Sequence, residues 1–78
     1  MERLVLTGRV GREHASELKD ALLAMARRGP VLVDLSGLEC LDLALLQLLL
    51  AARRELPVTI VPPQREEERA LLGFLGVI

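Results

Sequence analysis

Few residues in this chain are able to carry acid–base or nucleophilic chemistry. His14 is the single histidine and Cys40 the single cysteine, and they lie far apart in the sequence. A nucleophilic site needs a Ser or Cys within reach of a base, and a metal site needs several clustered ligands. Neither arrangement is visible, and no set of three glycines has the spacing of a phosphate-binding loop. We therefore expect no catalytic centre, no metal site and no cofactor.

Three consecutive carboxylates, Glu66 to Glu68, form an acidic cluster near the C-terminus. They stand where the pattern predicts the first turn of a helix, and the positive end of the helix dipole favours acidic side chains there. We interpret this cluster as a solvated helix start rather than a site.

Bulk composition limits the classes of partner. The chain has 78 residues, enough for one domain, with a net charge of −1 and one aromatic residue, Phe74. This balance gives no reason to expect binding to nucleic acid or to an anionic membrane. A single cysteine, no signal-peptide pattern and no apolar run of membrane-spanning length predict a cytoplasmic protein.

Periodicity and turn residues predict three strands that alternate with three helices. The predicted strands are 3–8, extendable to Val10, then 31–35 and 58–61. The predicted helices are 13–28, 43 to about 55, and about 64–75. Ser36-Gly37 is a predicted turn, followed by a connector over 38–41. The order βαβαβα predicts one α/β domain with a mostly parallel sheet of three or four strands.

The second helix is apolar on nearly every side. Asp42 is its predicted N-cap. On a helical wheel, one side of the helix carries Leu46, Leu49 and Leu50, and we expect this side to face the sheet. Leu45 lies at the border of that side and Leu43 nearer the edge of the core. The opposite side carries Ala44, Leu48, Ala51 and Ala52. An exposed apolar side predicts a partner surface, unless the last helix or an N-terminal element covers it.

The stretch 31–53 resembles the centre of a STAS domain, the fold of anti-sigma-factor antagonists. Asp34, Leu35, Ser36 and Gly37 match the end of the family's strand, and Asp42 matches the Asp before its leucine-rich helix. TGRV at 7–10 and VTIVPP at 58–63 resemble the flanking strands. The resemblance implies a single STAS-like domain over residues 1–78. The chain is shorter than usual for the family and starts near its second strand, so one sheet edge is predicted to be open.

The resemblance also implies a function, namely docking on a protein partner through the start of the second helix and the loop before it. The partner-binding residues that it predicts are Leu41, Asp42, Leu43, Ala44, Leu45 and Leu48. In the anti-sigma-factor antagonists, the hydroxyl two residues after the Asp is phosphorylated by a partner serine kinase. That position is Ala44 here, preceded by Leu43, and Leu45 replaces a glycine. The phosphorylation motif is therefore degenerate, which predicts a permanent binder.

Two settings fit this interpretation. One is a regulator of anti-sigma or stress signalling, whose partner is a serine kinase or a signalling scaffold. The other is a small accessory subunit of a bacterial lipid-transport ABC system, bound to its ATPase. A hypothesis from a different class is a self-associating structural module, in which the leucine face closes a homodimer.

Overall fold

The structure, a computed structural model, describes residues 1–74, except for the side chains of Leu41 and Leu71. Strands and helices alternate along it, as the sequence predicts. The three strands are β1 (Glu2–Val10), β2 (Val31–Leu41) and β3 (Val58–Val61), and the three helices are α1 (Ala15–Ala26), α2 (Leu43–Glu55) and α3 (Glu66–Phe74). A short 3₁₀ turn, Arg12–His14, precedes α1. None of these helices has the length and apolar character that crossing a bilayer requires.

The strands form a parallel sheet in the order β1-β2-β3. β2 is the central strand. Its first residue, Val31, is paired with Glu2 of β1 on one side and with Val58 of β3 on the other. The predicted α/β class and the parallel sheet are confirmed, with three strands in the described part of the chain. β1 and β3 lie at its two edges.

One face of the sheet carries the core. Alternate residues of β2, Val31, Val33 and Leu35, have no exposed surface, because period-two alternation points them all towards the helices. The other buried apolar residues of the core are Leu6, Leu22, Leu38, Leu45, Leu49, Ala52, Val58, Ile60 and Leu72. This core is entirely aliphatic, and each fully buried Val or Leu contributes roughly 1.5–3 kcal/mol.

The predicted end of the middle strand is wrong. β2 does not turn at Ser36-Gly37 but continues to Leu41. Val5 is opposite Asp34 while Thr7 is opposite Gly37, so β2 contains one extra residue, a β-bulge. A second shift separates the pairs Gly8–Leu38 and Arg9–Cys40. The turn-forming residues therefore bend a strand instead of ending it.

Gly37 lies close to the Thr7 side chain of β1 at this bulge. A Cβ atom built on it would lie 3.0 Å from the Cγ2 atom of Thr7. That separation is shorter than ordinary van der Waals contact, so a side chain at this position would require the Thr7 side chain to shift by a few tenths of an ångström.

The bounds of two helices also differ from the prediction. α1 begins at Ala15 rather than Glu13, because Arg12–His14 forms the separate 3₁₀ turn, and it ends two residues earlier, at Ala26. α3 begins two residues later than predicted, at Glu66, and its expected last residue, 75, lies outside the described part. α2 and β3 have the predicted bounds.

Asp34 fixes the start of the bulge from the opposite face of the sheet. Its carboxylate accepts a 2.9 Å hydrogen bond from the Ser36 backbone N–H and pairs with the Arg3 guanidinium at 2.7 Å. Only 6% of the residue is exposed. Hydrogen bonds from Ser36, and then from Arg3, lower the pKa of Asp34 from 3.8 to about 2.

Asp34→Asn tests this contribution through the pH dependence of stability. Because the folded-state pKa lies below the unfolded one, ionised Asp34 stabilises the fold above about pH 4, and that contribution is lost as pH falls towards 2. We expect the variant to be less stable than wild type at pH 7, with a difference that shrinks between pH 4 and pH 2. Urea unfolding followed by circular dichroism measures it. A difference that stays constant down to pH 2 would contradict this role.

Candidate functional site

A single residue caps the start of α2. β2 ends at Leu41, α2 begins at Leu43, and Asp42 lies between them in an extended conformation. Its Oδ1 accepts a 2.8 Å hydrogen bond from the Ala44 N–H, and its carbonyl accepts the first helical bond, from Leu46 N–H, at 2.9 Å. The predicted N-cap is confirmed. It fixes the first turn of α2 directly after the central strand.

The buried side of α2 differs from the predicted one. Leu45, Leu49 and Ala52 are 1%, 1% and 4% exposed, and their spacing of four and three residues forms one helical stripe. The sequence predicts Leu49 on the buried side, which is confirmed, but it predicts Ala52 on the opposite side of the helix. Leu46 and Leu50, which it also predicts to face the sheet, are only half-buried.

Leu45 does not belong to a docking surface. The sequence places it among the partner-binding residues, at the border of the apolar side, but its side chain is packed in the core. The physical reason is the phase of the helix, which the contact with the sheet determines. A partner does not reach this side chain unless α2 moves.

The exposed part of the first turn surrounds a surface depression of about 340 Å³. Leu43 is 67% exposed, and Asp42 and Ala44 are half-buried. We call this depression the α2 N-terminal surface; its residues are Arg12, Asp42, Leu43, Ala44 and Gln47. It combines one exposed leucine with a polar rim that contains a cation, an anion and an amide.

Sequence reasoning missed Arg12 and Gln47. Gln47 follows Leu43 by one helical turn, a spacing that was available from the sequence. Arg12 belongs to the 3₁₀ turn after β1, far from α2 in the chain, and that turn packs against α2. Loops that follow parallel strands meet at one edge of the sheet, and this rule was the available signal.

The remaining predicted partner residues are not part of this surface. Leu48 is half-buried and lines a different depression, between α1 and α2. Leu41 ends β2, and its side chain lies outside what the structure describes.

The residues with reactive side chains are dispersed. His14 is exposed and makes no capping bond to α1, and its Nε2 lies 3.6 Å from Glu13 Oε1. Cys40 is exposed near the end of β2. Within residues 1–74, no three His, Cys, Asp or Glu side chains are grouped as metal ligands would be.

Comparison with known proteins assigns the family. The family described as "Mlab, STAS domain" matches residues 2–75, nearly the whole chain. The chain belongs to the STAS family. This confirms the resemblance drawn from Asp34-Leu35-Ser36-Gly37 and Asp42. No curated protein and no solved structure matches the chain. STAS domains generally mediate protein–protein interactions and are generally non-catalytic.

Replacing Asp42 tests the N-cap on which the site depends. Asp42→Ala removes the acceptor for the Ala44 N–H, and we expect it to lower the free energy of unfolding by about 1 kcal/mol. Asp42→Asn retains an acceptor oxygen and is expected to cost less than half as much. Urea titration of both variants gives the comparison. Equal losses would show that the carboxylate charge, and not the capping bond, stabilises the helix.

Proposed function

We propose that this protein is a non-catalytic docking module of the STAS family, which binds a protein partner through the α2 N-terminal surface. The observation that carries the proposal is the exposure of Leu43 directly beside the capped end of α2. Membership of the family supports it, because STAS domains generally act by binding other proteins. We place the protein in the cytoplasm.

Leu43 has the properties of an interface anchor. Most leucines of α2 are at least half-buried, whereas two thirds of this residue is exposed. Protein interfaces commonly have an apolar centre enclosed by a polar rim, and an exposed leucine flanked by polar groups has this arrangement. Arg12, Asp42 and Gln47 supply hydrogen-bonding groups around it.

Binding at this surface is independent of phosphorylation in our proposal. The family position that carries the hydroxyl is Ala44, and Leu43 beside it has no hydroxyl either. Phosphorylation there would add a charge of about −1.5 to −2 next to Asp42, which would disrupt an apolar contact. Without an acceptor at this position, the module stays in its binding form.

Two settings remain for such a module. The first is anti-sigma-type signalling, in which the protein is a constitutive antagonist bound to a serine kinase or a scaffold. The second is a permanent accessory subunit bound to the ATPase of a lipid-transport ABC system. The second setting is supported by the name Mlab in the description of the family, and by the loss of the phosphate acceptor, which a permanent subunit does not need.

Leu43→Glu tests the docking surface. Glutamate is favourable in the first turn of a helix, so we expect the variant to fold with nearly unchanged stability. Loss of the anchor is expected to weaken binding to the partner by about 2 kcal/mol, roughly 30-fold. The binding constant is measured by calorimetry with the partner that co-purifies with the wild-type protein.

Phe74→Glu is the matched control for this experiment. Phe74 is 87% exposed, ends α3 and does not line the α2 N-terminal surface, so the same change from an apolar side chain to a carboxylate there is expected to leave binding intact. Equal binding by wild type and Leu43→Glu would refute the proposed surface. Equal weakening by both variants would show a non-specific charge effect.

Ala44→Ser separates the two settings. It restores a hydroxyl two residues after Asp42, where a serine kinase of the anti-sigma type would find its acceptor. In the signalling setting we expect the variant, incubated with its partner and ATP, to gain one phosphate and to dissociate. In the transport setting it stays unmodified and bound. Intact-protein mass spectrometry detects the phosphate, and Ala70→Ser, at an exposed position of α3, is the control.

A further inference from the structure

A second surface lies between α1 and α2, away from the α2 N-terminal surface. It is a groove of about 80 Å³ whose floor is formed by the buried residues Leu22 and Ala52. The other residues that line it are Lys19, Leu23, Leu48, Ala51, Glu55 and Leu56. An engineered apolar cavity of roughly twice this volume accommodates benzene, so the groove fits the end of one aliphatic side chain.

The apolar residues at the mouth of the groove are accessible to a partner. Leu23 is 37% exposed. Ala51 is exposed and Leu48 and Leu56 are half-buried. The small side chain of Ala51 permits close approach of another helix to α2.

Charges of opposite sign flank this groove. Lys19 lies on the α1 side and Glu55 on the α2 side, and both are exposed. Neither forms an ion pair with the other in the described part of the chain. A cation on one wall and an anion on the other form a self-complementary pattern.

We propose that this groove is a homodimer interface, occupied by a second copy of the same chain. A two-fold axis perpendicular to the groove exchanges its walls, so α1 of one copy lies over α2 of the other. Lys19 of each copy then faces Glu55 of its partner copy, and the exposed Leu23 of each copy enters the opposite groove. Two ion pairs and two leucine contacts form around one axis.

The dimer does not block the docking surface. The groove uses Leu48, Ala51, Ala52 and Glu55 of α2, whereas the α2 N-terminal surface uses the N-cap Asp42 and Leu43, Ala44 and Gln47, so the two share no residue. A dimer of this kind therefore presents two α2 N-terminal surfaces. The proposal does not depend on the proposed function.

Complementary charge reversal tests the interface on the full-length chain. The association constant is measured by sedimentation velocity over a concentration series at low salt, because exposed ion pairs are screened as salt rises. Wild type is expected to dimerise. In a dimer of either single variant, Lys19→Glu or Glu55→Lys, residues 19 and 55 carry the same charge at both symmetry-related contacts. Each variant is therefore expected to have an association constant about tenfold lower than that of wild type.

Mixing the two single variants gives the decisive observation. In a heterodimer, Glu at position 19 of one copy faces Lys at position 55 of the other, and the unmodified Lys19 and Glu55 form the second pair. We expect the equimolar mixture to dimerise within about threefold of wild type. The double variant is expected to recover in the same way. Glu17→Lys, which lies on another side of α1, is the matched control and keeps the wild-type association.

Two outcomes would overturn the proposal. One is a wild-type chain that stays monomeric at every concentration. The other is a dimer that neither single reversal weakens, or that the mixture does not restore, since either result places the contact elsewhere. Circular dichroism of each variant verifies that the exposed substitutions leave the fold intact.

Discussion

The carboxylate of Asp34 is the interaction on which the geometry of this domain depends. It accepts the Ser36 N–H and pairs with Arg3, so it is both buried and satisfied at the point where β2 takes up its extra residue. A buried carboxylate without such partners would strongly destabilise the fold. Because Ser36 and Arg3 satisfy the carboxylate, β2 accommodates the bulge and continues to Leu41. The position at which α2 begins, and therefore the position of the candidate site, follows from this bulge.

The leucine content of α2 is explained mainly by its neighbours. The helix contacts the sheet through Leu45 and Leu49, and it packs against α1 and the 3₁₀ turn on its flanks. A domain of this size buries only roughly 60% of its unfolded surface, so a helix with several neighbours has to be apolar on several sides. Leu43 is the exception, since it is 67% exposed at the first position of α2.

The domain separates two kinds of surface along one helix. At the start of α2, the exposed Leu43 lies beside a cation, an anion and an amide, which are supplied by Arg12, Asp42 and Gln47. This mixture suits a partner of different sequence. The second half, with α1, forms a groove whose flanking charges are opposite, which suits a copy of itself. The helix between them is anchored by one buried stripe, Leu45, Leu49 and Ala52.

The sequence by itself determined the order of elements, the bounds of α2 and β3, the Asp42 cap and the family. Each of these is encoded locally, in periodicity, in a capping residue or in a short motif.

Three features were decided only by tertiary structure. Ser36-Gly37 has the composition of a turn, and pairing with β1 converts it into a bulge within β2. Positions 43–52 of α2 are apolar except for Gln47, so the helix has no clear apolar side of its own, and contact with the sheet selected Leu45 and Ala52 for the core. Arg12 reaches the site because the loops after parallel strands meet at one edge of the sheet, which no local pattern encodes.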